Sequence, residues 1–420
     1  MKKLTKKTGR IKKGMKMVEG LNQEGLSRAQ KVAMIQALIP VGLMAVESEL
    51  KAEVEELIGP RYKRGGDQKR WGFNPGSVYL SDQKVKVNVP RIRDRKTNQE
   101  IMLPMYKDLQ NPRLINEVML ARVINGISQR KYEKAAIQIP KTFGIKKSSV
   151  SKKVIRATGK RLRQLMERDL SPYDIVAIAM DGKTYGRHQI VVALGFTLQG
   201  EKIILGFVEA GTENHLICKE FLMSLIDRGL RTDQEILFVI DGAKGLRKGI
   251  LQLFGNKAFI QRCQWHKREN VLKYLARPEQ DKFRQKLQAS YEEKTYEKAK
   301  RRLTVLIREL KQINISAAKS LEEGLEETLT LHKLGVFPLV GISLKTTNCI
   351  ENVNKGLSQY TGRVTNWKTS NQIHRWVASA MMEIEKGLRQ AKNWEFFSTL
   401  REMMRDANGP KRQTDLKLAA

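Results

Sequence analysis

Two apolar runs in this chain end the same way. Asp174 to Asp181 closes in Ala179-Met180-Asp181-Gly182, and Glu235 to Asp241 closes in Val239-Ile240-Asp241-Gly242. Short continuous apolar runs bounded by turn signals are strands buried on both faces. Between them lie two further strand patterns, Gln189 to Phe196 and Glu201 to Glu209, joined by the turn Leu198-Gln199-Gly200. A helical pattern, Thr212 to Gly229, follows, with Phe221, Leu222, Leu225 and Ile226 on one face, and Ala258 to Arg262 makes a fifth strand. The order is therefore three strands, helix, strand, helix, strand. Hairpin turns make the first three antiparallel, and a helical crossover makes the fourth parallel to its sheet partner. If strands one and four are neighbours, Asp181 and Asp241 emerge at one sheet edge, where open sheets of this kind place their sites.

Two carboxylates at one edge repel unless a cation lies between them. Mg²⁺ is the expected ion, since it takes hard oxygen ligands and keeps waters for chemistry. A pair of ions for in-line phosphoryl transfer calls for a third carboxylate. Glu351 is the candidate, in Thr346-Thr347-Asn348-Cys349-Ile350-Glu351-Asn352-Val353-Asn354, where Ile350, Val353 and Leu357 form the buried face of a helix. The spacing has a second explanation: Asn348 and Glu351 stand three apart, as in a capping box with Glu at N3. Likewise, a single Asp-Gly is an ordinary turn. It is the repetition after two buried strands that points to a metal site.

The partner is a polyanion. The 420 residues carry 78 Lys+Arg against 44 Asp+Glu, a net charge of +34, and residues 1–170 hold 38 basic and 16 acidic residues of that total. Such a surface binds phosphate backbones by counterion release. Hydrophobic residues make up 41% of the chain, which excludes wholesale disorder, and three cysteines exclude a disulfide scaffold and point to a reducing compartment. The basic start lacks an apolar segment of secretion-signal type, and Val32 to Val46 is too short and too interrupted to span a bilayer. These features predict a soluble intracellular protein.

Residues 1–60 read as a basic arm and a helical segment, and 61–110 as a small basic region with strands. There Arg61 to Pro75 is loop-like and Val78 to Val89 is a short strand pair. Residues 111–170 are helical. Gly144 suits a tight turn and Ser148 the N-cap of the next helix. Ile145, Val150 and Ile155 would pack inward, and Lys146, Lys147, Ser149, Ser151 and Lys152 would face outward. That is the layout of a helix-turn-helix reading DNA, against the plainer possibility of a helical hairpin with solvated lysines. Residues 171–267 form the first part of a catalytic core, 268–340 a helical insertion, and 341–420 closing helices and a tail. Cys263-x-x-His266 invites zinc, but four ligands are needed and no second pair is present, so no zinc is expected.

With these residues in place, the chain resembles the Mutator-type transposases of bacterial insertion sequences, of the DDE superfamily. The resemblance runs from about Arg61 to the 390s. It is carried by Ala179-Met180-Asp181-Gly182, by Leu205-Gly206-Phe207 leading to Asp227-Arg228-Gly229, by Val239 to Leu246 followed by Gln261 to Asn270, and by Thr347 to Asn354 with Arg363 and Asn366-Trp367-Lys368 beyond. It implies a ribonuclease-H-like catalytic domain (an α/β fold) with an all-helical insertion, preceded by a basic, mostly helical DNA-binding region. It further implies Asp181, Asp241 and Glu351 as the catalytic, metal-holding triad, with Mg²⁺ or else Mn²⁺. The implied partners are terminal inverted repeats and target DNA, bound by a homo-oligomer in the bacterial cytoplasm. Cys263 and His266 are a family signature near the site, with His266 a phosphate contact and Cys263 packed. Trp265 is core or a base-stacking platform, and Arg363 and Trp367 are DNA contacts. The segment Lys183 to His188 is shorter than the family's commoner form. Two rivals stay open: a structure-selective nuclease of the same fold, and a non-enzymatic DNA-binding regulator derived from a transposase.

Overall fold

The computed structural model describes residues 28–62, 66–80, 83–110, 115–125, 147–185, 188–210, 214–362, 364, 367 and 369–409. The chain forms two compact units, 1–157 and 158–420. No helix among the described residues is long and apolar enough to cross a membrane.

The first unit begins with α1 (Arg28–Ile58), followed by the hairpin β1 (Gln68–Leu80) and β2 (Gln83–Asp94), then β3 (Glu100–Ile101), α2 (Pro104–Gln110), α3 (Ile115–Ile124) and the start of α4 (Lys147–Met166). The strands pair antiparallel in the order β1-β2-β3. One side of the hairpin buries Val78, Val87, Val89 and Ile92 against Leu50 and Val54 of α1 and against Leu103. Arg91 closes the β2–β3 turn with a bidentate pair to Glu100 at 2.7–2.8 Å.

Three expectations change here. From Gln68 on, the expected loop is a strand. It is an edge strand, where Pro75 costs no ladder bond, and Gly72 sits in the bulge between Arg70 and Phe73 with φ +81°. Helix α4 starts at Lys147, one residue before the expected cap Ser148. Val150 is buried as expected, but Ile155 is 48% exposed. Ser151 is half-buried and Lys152 exposed. The helix-turn-helix turn with Gly144, Ile145 and Lys146 lies outside the described residues, as do the side chains of Lys147 and Ser149.

The second unit is built on β4 (Ile175–Tyr185), β5 (His188–Thr197), β6 (Lys202–Glu209), β7 (Ile236–Ile240) and β8 (Ala258–Arg262), in the sheet order β6-β5-β4-β7-β8. As the turn and crossover pattern requires, β4, β5 and β6 are antiparallel, whereas β7 is parallel to β4 and β8 to β7. The crossovers are α5 (His215–Asp227), capped by Asn214, and α6 (Lys244–Phe254). Alternation along the strands sends Ile178, Met180, Phe238 and Ile240 to the face covered by α5 and α6. Ala177, Ala179, Leu237 and Val239 face the closing helices. β4 runs to Tyr185, past the expected end at Asp181, because β5 stays paired through Tyr185↔His188 after parallel pairing with β7 stops at Met180↔Ile240.

After β8 come α7 (Gln264–Leu272), α8 (Arg277–Tyr291), α9 (Tyr296–Ile313), α10 (Ile315–Glu322), α11 (Leu325–Thr328) and α12 (Thr330–Lys333). They share a core of their own, with Phe283, Leu287, Leu303, Leu310 and Leu321. Two buried cations hold this layer at one point, Lys267 from within it and Arg262 from the end of β8. Lys267 Nζ donates to the carbonyls of Ser320 (2.6 Å) and Glu323 (2.5 Å), and Arg262 donates to the Glu323 carbonyl at 3.3 Å. Both act at the C-terminal end of α10, where free carbonyls favour positive charge.

The chain closes with α13 (Phe337–Leu344), α14 (Asn348–Thr361), α15 (Ser370–Glu385) and α16 (Phe397–Asn408). Glu385 locks α15 to the sheet edge: it takes a bidentate pair from Arg168 at 2.7 Å and the Ile204 backbone N–H at 2.7 Å. Glu385→Ala would strand Arg168 and an edge-strand N–H together. It is expected to cost about 2–4 kcal/mol, read as a lower urea midpoint for the full chain.

Candidate active site

The register of β4 and β7 sets the site. Met180 pairs with Ile240, so Asp181 and Asp241, the next residues on two parallel strands, stand side by side. Both follow a residue of the α5/α6 face, and alternation turns both toward the face that α14 covers through Ile350, Val353 and Leu357. Asp181 accepts the Gly182 N–H at 2.8 Å, and Asp241 accepts the Ala243 N–H at 3.0 Å. Gly242 takes φ +100°, and a Cβ there would overlap the guanidinium of Arg262, which is itself wedged between Gly242 and Gly324. The turn after Asp241 therefore has to be glycine.

A second cluster meets the pair from the end of β8. The Cys263 N–H donates to the Ile240 carbonyl at 2.7 Å, directly before Asp241. Its sulfur accepts the His266 N–H at 3.5 Å, capping α7, and the Thr347 N–H at 3.4 Å, at the start of α14. One buried thiol thus joins two helix starts. The Thr347 hydroxyl lies 3.3 Å from His266 Nδ1 and donates to the Cys263 sulfur at 3.6 Å. A protonated Nδ1 can donate to the Thr347 oxygen while the Thr347 hydroxyl donates to the sulfur, so ring, hydroxyl and thiol orient one another.

Electrostatics agree with that geometry. Burial pushes Asp181 up to about 6; the charge of His266 opposes this and that of Asp241 adds to it. Burial alone would lower His266, but the bond and charge of Cys263, then Asp181 and Asp241, outweigh it and hold the imidazole up at about 9. The Cys263 thiol is raised by burial yet ends below its usual value, drawn down by His266. The site is thus two crowded carboxylates facing an imidazolium.

Glu351 is half-buried in the first turn of α14, one turn beyond Thr347. The helix is capped at Thr347, so Asn348 is N1 and the capping box does not form. Lys183, two residues after Asp181, fixes the same helix further along, donating to the Asn354 carbonyl at 2.5 Å and the Ser358 hydroxyl at 2.7 Å. Among the described residues, no group of three His, Cys, Asp or Glu side chains stands close enough together to hold a metal ion. Asp181 and Asp241 are brought together; Glu351 is on the adjoining helix.

The other candidates fall as follows. Trp265 is 37% exposed with its ring edge-to-face on His266, so it is not core. Trp367 is half-buried against the larger core, and Arg363 lies outside the described residues. Spacing does not single out Thr347, Lys183 or Arg262. Thr347 and Arg262 fall inside two of the quoted motifs without being marked out in them, and Lys183 only follows Asp181-Gly182.

The Asp181 shift has a consequence for stability. Its folded value of about 6 lies above its ordinary 3.8, so the folded chain holds an extra proton between these values. Ionised Asp181 therefore costs stability, increasingly as pH rises from about 4 to about 6 and fully above. Asp181→Asn is expected to raise the unfolding midpoint in chelator at pH 7.5, equivalent to about 2–3 kcal/mol, with the gain gone below about pH 4. Equal melting of the two proteins at pH 7.5 would contradict the buried-carboxylate account.

A sequence profile described as Transposase, Mutator family, matches residues 15–391. The chain is 25% identical over 396 residues to the transposase for insertion sequence element ISRM5 of Rhizobium meliloti (strain 1021), covering 90% of this chain and 96% of that one. It is 26% identical over 305 residues to the transposase for insertion sequence element IS905 of Lactococcus lactis subsp. lactis (strain IL1403), covering 70% and 74%. To the transposase for insertion sequence element IS406 of Burkholderia multivorans it is 24% identical over 355 residues, covering 81% and 88%. With nearly its whole length matched, the chain belongs to the Mutator family of transposases.

Proposed function

We propose that this chain is a DNA transposase that binds the terminal inverted repeats of an insertion sequence, cleaves at the repeat ends and joins them to target DNA. The observation that carries this reading is the side-by-side placement of Asp181 and Asp241 at the point where β7 stops and β4 continues. The sheet order β6-β5-β4-β7-β8, three antiparallel strands followed by two parallel ones, supports a ribonuclease-H-like catalytic domain.

The donor set suits a hard divalent cation: adjacent carboxylates, one of them costly to ionise, with Glu351 on the next helix. Asp181, Asp241 and Glu351 would hold Mg²⁺, or Mn²⁺ in its place. Such ions, when bound, activate an attacking hydroxyl and stabilise the leaving 3′-oxygen. The chain's own groups do the rest. His266, held protonated, offers a positive charge beside the carboxylates for a phosphate of the bound strand. Thr347 keeps the Nδ1 side of that ring oriented, so Nε2 is the nitrogen left to meet DNA. No side chain forms a covalent bond to DNA, so water and then a 3′-hydroxyl serve as nucleophiles at one site. The basic residues of 1–170, with Lys146 and, in α4, Lys147, Ser149, Ser151 and Lys152, would grip the repeat, and Arg363 and Trp367 would add contacts. The active form is an oligomer on paired ends.

The test uses purified full-length protein, Mg²⁺ and a labelled duplex bearing the inverted repeat that flanks its own gene. A nick at the repeat end and joining to a second DNA are expected. Asp181→Asn and Glu351→Gln should each reduce both to background, while Asp181→Asn keeps wild-type affinity for the repeat. Cleavage of branched DNA without joining would favour the nuclease instead. Binding without either reaction, in Mg²⁺ or Mn²⁺, would favour the regulator.

A further inference from the structure

The side of the β1–β2 hairpin turned away from α1 carries two large exposed rings, Trp71 (44% exposed) and Phe73 (51%). They flank Gly72 in the bulge, which turns the edge strand and re-aims its side chains outward. The hydrophobic core of this unit lies on the opposite side of the hairpin, so neither ring is needed to fill it. Two cations lie against the Trp71 ring. Lys69 Nζ is 4.6 Å from the centre of the Trp71 ring, and Arg93 Cζ is 4.8 Å from it. Lys69 and Arg93 are also directly opposite each other in the ladder. Like charges in that position repel, and a shared aromatic ring offsets the repulsion only in part. Residues 61–95 as a whole hold ten Lys or Arg against three Asp or Glu.

Exposed rings within a field of one sign are a poor surface for water and a good one for a polyanion with apolar faces. We propose that this ridge is a duplex-DNA contact. Lys69 and Arg93 meet backbone phosphates, and Trp71 and Phe73 press against the deoxyribose and base edges between them. A two-stranded ribbon is narrow enough to enter a DNA groove, and rings supply contact that is insensitive to sequence. The proposal rests on the transposase reading for the identity of the polyanion. It adds a binding element separate from the start of α4.

The experiment measures binding of the full-length chain to two short labelled duplexes, one bearing the terminal repeat and one scrambled, over a range of salt concentrations. Trp71→Ala combined with Phe73→Ala is expected to weaken both duplexes about tenfold without changing the salt slope. Trp71→Phe should keep most of the affinity. Lys69→Gln combined with Arg93→Gln should lower the slope of log K against log salt by about two, one for each phosphate no longer neutralised. The unaltered chain separates two kinds of failure. If it binds neither duplex, the transposase reading itself fails. If it binds while the charge pair variant keeps the full slope, the ridge is overturned, whatever the ring variants do. Wild-type affinity in the folded double ring variant overturns it equally, and would point to a protein partner for the rings.

Discussion

Two like charges forced side by side govern the second unit. Parallel pairing of β4 and β7 puts Asp181 next to Asp241, and alternation turns both the same way. Burial makes their charge costly, as the raised value of Asp181 records. The surroundings partly answer that cost. Three neighbouring features converge on the pair: the imidazolium of His266, the start of α7 and the start of α14, the last two joined through the Cys263 sulfur. Helix starts present N–H groups and positive dipole ends, so each favours negative charge nearby. The Cys263-x-x-His266 pair thus has a place in the fold: the sulfur joins two helix starts and the ring is a counter-charge.

The positive charge of the chain has two uses, and composition alone does not separate them. In the second unit, Arg262, Lys267 and Arg401 are buried and serve the fold. Arg401 bonds Asp174, Gln234 and the Ile175 carbonyl, and Arg228 bonds the carbonyls of Leu165 and Leu205. Such residues clamp helix ends and strand ends. Desolvation lowers Lys267 to about 8, so this clamp is under electrostatic load even with Glu323 beside it. The excess available to DNA is thus smaller in residues 158–420 than the net count implies. In the first unit, by contrast, the half-buried Lys69 and Arg93 lie against an exposed ring.

Much of this is legible in the residues. Buried strands advertise themselves as apolar runs, so the strand order, the antiparallel hairpins and the parallel crossover all follow from pattern. Asp181 and Asp241 follow from parity. What escapes depends on partners far away in sequence. The extension of β4 is polar at Lys183-Thr184 and is held by pairing with β5 and by burial of Tyr185 at its end. The loop-like Gly72 and Pro75 are tolerated in a strand only because that strand is an edge, which local sequence does not state. Ile155 stands five residues after Val150, about 140° further around the helix at 3.6 residues per turn, so the two do not share one narrow buried face and Ile155 faces solvent. Thr347 carries no pattern at all; its role exists only because α14 starts beside Cys263.

The position of Glu351 follows from the same logic of clamps. Helix α14 is fixed at its start by Thr347 bonded to the Cys263 sulfur, and near its middle by Lys183 bonded to Asn354 and Ser358. One anchor comes from the residue after β8 and the other from β4, the strand that bears Asp181. The third carboxylate is thereby carried on a rod held to the same sheet edge as the other two, at a distance set by backbone and not by its own contacts. A third negative charge has no reason to close on two others without a cation between them. The clamps at the start and middle of α14 fix where Glu351 stands on the helix beside the two aspartates.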